Sequence, residues 1–304
     1  MRLVNFGSLN YDYVYLVDHI VLPGETISST ELSVFCGGKG LNQSIALSQA
    51  GAQVYHAGLI GDDGDLLLET CRNHGVNTKY IRKSSVRSGN AIIQLAKSGQ
   101  NSIVLFGGAN RQNSEAFIDE VLSDFEEGDY ILLQNEMNLL DYLIEKAYAQ
   151  KLQIVLNPSP YNESIEKCDL EKVSIFLLNE VEGMQITGEK EAEKILPAMQ
   201  QKYPRARIVL TLGKLGVMYS DSEKTVSHGI YDVKVVDTTA AGDTFTGYFL
   251  ASVIAGKTVE ESLRLASIAS SLAVSQKGAV DSIPPLPEVL SSKIIPQKRQ
   301  EGNP

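Results

Sequence analysis

Asp237-Thr238-Thr239-Ala240-Ala241-Gly242-Asp243-Thr244-Phe245 is the stretch on which the reading of this chain turns. The apolar pattern that follows predicts a helix over 241–255. The backbone N–H groups of Ala240 to Asp243 would then lie free at its N-terminus, where the helix dipole adds to their pull on an anion. Position alone would make Asp243 an N-cap, the common use of Asp at a helix start. A cap does not require Ala240, Ala241 and Gly242 in succession, whereas a ligand approaching the backbone does. Donors for developing charge beside a carboxylate that can receive a hydroxyl proton are the parts a phosphoryl-transfer site needs.

A second stretch, the glycine-rich Cys36-Gly37-Gly38-Lys39-Gly40-Leu41-Asn42-Gln43, follows a strand-like run and opens a helix. Its spacing is neither that of a Walker A loop nor that of a dinucleotide fingerprint. Taken alone it is a tight turn.

Outward from these two stretches, short apolar runs at 3–6, 54–58, 130–134, 154–157, 175–178 and 208–212 alternate with helical patterns at 65–73, 114–123, 139–149, 192–202, 241–255 and 259–275. Such alternation predicts an α/β domain with a mainly parallel central sheet between two layers of helices. Two stretches break it. Residues 10–36 read as strands around Leu22-Pro23-Gly24-Glu25, and 90–107 as strands joined by Lys97-Ser98-Gly99-Gln100. Without intervening helices they cannot easily join a parallel sheet, so a small separate β-sheet is expected. The main domain is expected to span 1–290, with 291–304 a polar, disordered tail.

The net charge of −10 disfavours nucleic acid and anionic membrane as partners but leaves a neutral sugar free to bind. Three cysteines without metal-ligand spacing fit a reduced, cytoplasmic protein. The four histidines form no metal motif, and no apolar run approaches the roughly 18 residues of a membrane span.

Both stretches, 36–43 and 237–245, resemble the signatures of ribokinase-like (phosphofructokinase-B-type) sugar kinases. So do six further segments in order: Ser8-Leu9-Asn10-Tyr11-Asp12, Pro23-Gly24-Glu25-Thr26, Gly61-Asp62-Asp63-Gly64, Asn157-Pro158-Ser159-Pro160, Asn179-Glu180-Val181-Glu182 and Thr211-Leu212-Gly213-Lys214-Leu215-Gly216. The resemblance spans about residues 3–285. It implies a three-layer fold with a β-sheet lid and ATP-dependent transfer of the γ-phosphate to a sugar hydroxyl.

Residue by residue, it implies Asp243 as base, with Ala240, Ala241 and Gly242 as the anion hole. It implies sugar contacts at Asn10, Asp12, Gly38, Lys39, Gly40, Asn42, Glu136 and Asp243. Nucleotide contacts would fall at Asn179, Thr211, Gly213, Gly216 and Gly242, and Mg²⁺ would be held through water by Glu182. The family's monovalent cation, K⁺, would match Asp237, Thr239, Ala273, Gln276, Gly278 and Ser282. A homodimer is also implied.

Each of these has a plainer reading. Asn179 and Glu182 have the spacing of a helix capping box, Glu136 that of a first-turn helix acid, and Lys277-Gly278 that of a helix C-cap. Thr246 and Tyr248 depart from the family pattern, which has asparagine and a small residue there. The form of both signatures favours D-ribose, giving D-ribose 5-phosphate, over fructose, a ketohexose phosphate or a nucleoside. A phosphorylated sugar would want more cations than Lys39, with Arg87 and Lys97 as its only candidate neighbours. A sugar-responsive regulator on the same fold would have no use for Asp243, and a nicotinamide dehydrogenase would need fingerprint glycines that are absent.

Overall fold

The computed structural model describes residues 1–297. The chain begins with the buried strand β1 (Leu3–Phe6) and continues into β2 (Asn10–Val17). The expected turn at Leu22 is closed by the Glu25 N–H on Leu22 O at 3.0 Å, with Gly24 at φ 82°, and leads to β3 (Glu31–Gly37). Then come α1 (Lys39–Gln49), β4 (Val54–Ile60), α2 (Asp65–Asn73) and β5 (Asn77–Lys83). A hairpin of β6 (Gly89–Ala96) and β7 (Asn101–Phe106) turns at Gly99, φ 86°.

Alternation resumes with α3 (Glu115–Leu122), β8 (Tyr130–Gln134), α4 (Leu140–Ala149), β9 (Gln153–Asn157) and the single turn α5 (Glu163–Glu166). It goes on through β10 (Ile175–Asn179), α6 (Glu180–Thr187), α7 (Ala192–Lys202) and β11 (Arg207–Thr211). The hairpin β12 (Val217–Ser220) and β13 (Thr225–His228) precedes α8 (Ala241–Ile254), α9 (Val259–Ala273) and α10 (Leu286–Ser291).

The central sheet has nine strands in the order β13-β12-β11-β10-β9-β8-β1-β4-β5. Pairing is parallel from β5 to β11, and β12 and β13 close one edge antiparallel. Its inner strands are buried on both faces, so successive residues feed opposite cores. Leu132, Val155, Leu177 and Val209 pack with α1, α8 and α9, while Ile131, Leu156, Phe176 and Ile208 pack with α3, α4 and α7. This is the three-layer arrangement that the alternation predicts.

The two stretches that broke the alternation form a second sheet in the order β3-β2-β6-β7. Leu32, Val34, Ile103, Val104, Leu105 and Phe106 remain exposed on it.

Some expectations move. β5, the β12–β13 hairpin, α6 and α10 were not predicted. Leu139 is not helical but stands at φ 59° before α4, and Leu212 lies past the end of β11 in a turn closed by Gly216 O. The stretch 291–297, expected as part of a disordered tail, is held to the domain near its end. Asp232 N–H donates to Ile295 O at 2.9 Å and Gln297 N–H to Ile230 O at 2.9 Å, so 295–297 is pinned beside 230–232. Residues 298–304 of that expected tail lie outside the described residues.

Candidate active site

The parallel strands deliver polar residues to one edge. Gln134 stands in register with Asn157, and Asn179 with Thr211, each at the carboxyl end of its strand. In open α/β sheets that edge is where ligands sit.

Ala240, at φ 58°, supplies the sharp turn into α8. The left-handed conformation is costly for alanine and survives only where its surroundings impose it. Asp237 is one such constraint. Its Oδ1 accepts from the Thr239 N–H at 2.9 Å and the Thr239 hydroxyl at 2.6 Å, and its Oδ2 from the Gly278 N–H at 3.0 Å. Burial opposes its charge, but these donors outweigh it and hold the carboxyl below its ordinary range.

Four free N–H groups were expected at this turn. The Ala241 N–H instead reaches Thr238 O at 3.3 Å, while those of Ala240, Gly242 and Asp243 donate to nothing among the described residues. A Cβ at Gly242 would meet no atom within 4 Å, so the space beside it belongs to the cavity rather than to packing.

Asp243 is 8% exposed and faces a cavity of about 240 Å³ lined by Lys39, Asn157, Asn179, Glu182, Thr211 and Thr246 among others. A larger, mainly apolar cavity of about 530 Å³ adjoins it and shares Thr211, Thr238, Ala241, Gly242 and Phe245. Gly213, Gly216, Val233 and Val235 line its far part.

On the other side of Asp243 lie the residues of β2 and the glycine-rich stretch 36–43. Gly38, at φ 93°, turns the chain into α1, and a Cβ there would stand 3.1 Å from Asn10 Nδ2. Gly40 packs on β1's exit so closely that a Cβ would lie 2.3 Å from Ser8 N. Glu136 accepts from the Lys39 N–H at 3.1 Å and from the Ser8 hydroxyl. Burial and the carboxylates of Glu136 and Asp243 push Asp12 up to about 7. Burial opposes the charge on Lys39, yet Asp243, Glu136 and Glu182 outweigh it and raise its pKa.

Asn179 and Glu182 do form the capping box. The Glu182 N–H donates to Asn179 Oδ1 at 3.0 Å, and Glu182 Oε2 accepts from the Asn179 N–H at 2.9 Å. Both also line the smaller cavity, so the cap fixes a buried carboxylate at its wall.

A family model described as pfkB family carbohydrate kinase matches residues 1–286. The chain belongs to the pfkB family of carbohydrate kinases.

The kinase is 34% identical over 298 residues to a ribokinase of Haemophilus influenzae, covering 95% of this chain and 97% of that one. It is 35% identical over 288 residues to a ribokinase of Bacillus subtilis, covering 93% and 96%. Among solved structures, the Arabidopsis thaliana ribokinase complexed with ribose and ATP superposes with a TM-score of 0.83 at 30% identity, covering 95% and 97%.

Of the expected site residues, Lys39, Asn179, Glu182, Thr211 and Asp243 line the smaller cavity and Gly213 and Gly216 the larger, whereas Asn10, Asp12, Asn42 and Glu136 line neither of the two. Among the K⁺ positions, Asp237 bonds directly to Thr239 and Gly278, and Ala273 O accepts the Gln276 N–H at 3.1 Å. The carbonyls of Asp237, Thr239, Gln276 and Gly278 accept no hydrogen bond from the described residues. Ser282 is buried, and its hydroxyl donates to Ala279 O at 2.8 Å. Gly278 is not the C-cap of α9, which is Val274.

Arg87 and Lys97 line neither cavity. They pair with Asp63 at 3.2 Å and with Asp18 at 2.6 Å.

Thr246 lines the smaller cavity, whereas Tyr248 points into the core and donates to Pro284 O at 2.5 Å. Sequence reasoning missed Asn110, whose amide donates to Asn10 Oδ1 at 2.7 Å and whose Oδ1 accepts the Leu9 N–H at 3.0 Å. It also missed Gln43, whose side-chain N–H donates to Asp243 Oδ1 at 2.8 Å. The signal for Asn110 was the glycine pair Gly107-Gly108 just before it; nothing local points to its partners.

Proposed function

We propose that this kinase transfers the γ-phosphoryl group of ATP to a hydroxyl of a free pentose, D-ribose above all, releasing ADP and D-ribose 5-phosphate. The observation that carries this reading is the Asp243 carboxylate beside unpartnered N–H groups, in the wall of a polar cavity that adjoins a larger apolar one through Gly242. The sugar hydroxyl gives its proton to Asp243 as its oxygen bonds to the γ-phosphorus, and the bond from that phosphorus to the ADP oxygen breaks. The N–H groups of Gly242, Asp243 and Ala240 receive the charge on the transferring oxygens. Adenosine occupies the apolar cavity, with its phosphates directed along Thr211 and Asn179 toward Gly242.

A neutral polyol suits the other end. Asp12, Glu136 and Asp243 offer acceptors for hydroxyl protons, with Asn10, Asn42 and the Gly38–Gly40 backbone beside them, and Lys39 is the cation placed among these carboxylates. A phosphorylated sugar would face three carboxylates. The ribokinase relatives support ribose as the acceptor and ATP as the donor.

Mg²⁺ fits the polar cavity. Glu182 is a buried carboxylate at its wall, and no group of three or more acidic, His or Cys side chains that could cage a metal occurs among the described residues. Magnesium keeps most of its waters and takes few protein ligands. When bound it would neutralise phosphate charge.

K⁺ fits the unpaired carbonyls of Asp237, Thr239, Gln276 and Gly278 behind the anion loop, with the Asp237 charge beside them. The exposed apolar residues of the small sheet support a homodimer in which two lids cover each other. Three free cysteines support a reducing, cytoplasmic setting. Among the described residues no helix is long and apolar enough to cross a membrane.

ADP release measured over ribose, 2-deoxyribose, fructose, ketohexose phosphates and nucleosides tests the reading. Ribose should give the highest kcat/KM. Preference for a phosphorylated sugar would overturn the substrate, and no turnover with any acceptor would leave a regulator.

A further inference from the structure

A line of buried polar side chains runs behind Asp243 that phosphoryl transfer, as described, does not use. Gln43 Nε2 stands 2.8 Å from Asp243 Oδ1 and 3.1 Å from Asn157 Oδ1. Gln43 Oε1 accepts from Gln134 Nε2 at 2.8 Å, and Gln134 Nε2 also donates to Asn5 Oδ1 at 2.9 Å. Asn5 Nδ2 donates to Gly40 O at 2.7 Å and to Ser44 Oγ at 2.8 Å. Ser44 Oγ lies 2.8 Å from His56 Nδ1, and His56 Nε2 lies 3.2 Å from Gly7 O. Asn5, Gln43, Ser44 and His56 are fully buried, and Gln134 is 1% exposed.

Every bond in this line has one direction. A carbonyl can only accept, so His56 Nε2 carries the proton and Nδ1 accepts from the Ser44 hydroxyl. Burial pushes the imidazole down to about 4, which keeps it neutral. Ser44 then accepts from Asn5, Asn5 from Gln134, and Gln43 from Gln134. The outcome is that Gln43 must point its NH₂ group at Asp243. Turned over, it would set Oε1 against a carboxylate and leave its donors unpaired, which is costly in a buried site.

We propose that Gln43 is a positioning residue for the base, and that Gln134 locks its amide in the working orientation. The idea rests on Asp243 being the base. Asn42 already meets Oδ2 at 3.0 Å. With Gln43 on Oδ1, the carboxylate is held at both oxygens and its plane is fixed relative to the N–H groups of the anion loop.

The test uses Gln43→Met and Gln134→Met, similar in length and without donors, assayed well below each variant's melting midpoint with ribose and ATP. Gln43→Met should lower kcat about 10- to 100-fold, the range for losing a hydrogen bond to a charged group, with both KM values within about twofold. Gln134→Met should lower kcat in the same sense but less, since it loosens Gln43 without touching the base.

Asp243→Asn run in parallel separates the two claims. Loss of turnover in that variant alone, with Gln43→Met within about twofold of the parent, overturns the positioning role and leaves the base assignment standing. Normal turnover in Asp243→Asn overturns the base itself. A loss carried by KM, or one that vanishes when the variant is stabilised by cooling, also overturns the proposal, because packing alone would then account for it.

Discussion

Asn42 donates its side-chain N–H to Asp243 Oδ2 at 3.0 Å across 201 residues of sequence. The stretches 36–43 and 237–245, read separately along the chain, thus meet at one carboxylate. Asn42 is placed by the turn at Gly38 and Asp243 by the turn at Ala240, so the bond depends on two backbone corners.

The corner below Asn42 has no slack. A methyl group at Gly40 would lie 2.3 Å from Ser8 N and 2.5 Å from Gly7 C, both backbone atoms. Gly40→Ala should therefore push α1 off the exit of β1, with an overpacking cost of about 1–3 kcal/mol. Chemical denaturation should show the lost stability, and sugar turnover should fall with it. A variant of parental stability and turnover would mean that the close approach is looser than it stands here.

In the proposed sugar site, the raised carboxyl of Asp12 predicts the sign of a pH dependence. Its carboxyl titrates near 7, so it is largely protonated at pH 6 and largely ionised at pH 8. A carboxylate accepts sugar hydroxyls more strongly than a carboxyl group. The KM for ribose should fall roughly tenfold between those values, as the competent fraction rises, while the KM for ATP stays level. In Asp12→Asn the ribose profile should be flat and its KM higher throughout. A falling profile that persists in Asp12→Asn would assign the titration elsewhere.

Glu136→Ala should weaken ribose by about 1.5–3 kcal/mol, or roughly tenfold to a hundredfold, through loss of a charge-assisted hydrogen bond. Calorimetry with ribose and with an ATP analogue checks it. Equal losses for both ligands would show that the Lys39 and Ser8 anchors of Glu136 matter more than its contact with sugar.

Potassium should raise turnover. The unpaired carbonyls around Asp237 lie behind the loop that aims the N–H groups, so a weakly hydrated cation there would stiffen that loop. Rates compared in potassium, sodium and tetramethylammonium chloride at one ionic strength should be highest in potassium. Equal rates in all three would reduce Asp237 to its structural bonds with Thr239 and Gly278.

Much of this was legible in the sequence because the central strands are buried on both faces. Ile131-Leu132-Leu133 or Ile208-Val209-Leu210 reads as an apolar run whichever core each residue enters. The separate small sheet was legible from the lack of helical spacing in 10–36 and 90–107. β13 was not, because two of its four residues are exposed and no apolar run marks it. The polar line behind Asp243 was not legible either. Gln134 lies 91 residues from Gln43 and 129 from Asn5, and each alone reads as a strand-end or helix polar residue. Such pairings follow from the order of strands in the sheet, which no local pattern states. The capping box of Asn179 and Glu182 was legible from its spacing, while their expected place at the site came from the family resemblance and not from the spacing.

The central claim is that Asp243 receives the sugar proton during transfer, and Asp243→Asn tests it most directly. The asparagine keeps the size of the side chain and removes the base, so turnover with ribose and ATP should fall by about 10²–10⁴-fold, while calorimetry finds ribose and ATP bound nearly as in the parent. Turnover near the parental rate would contradict the assignment.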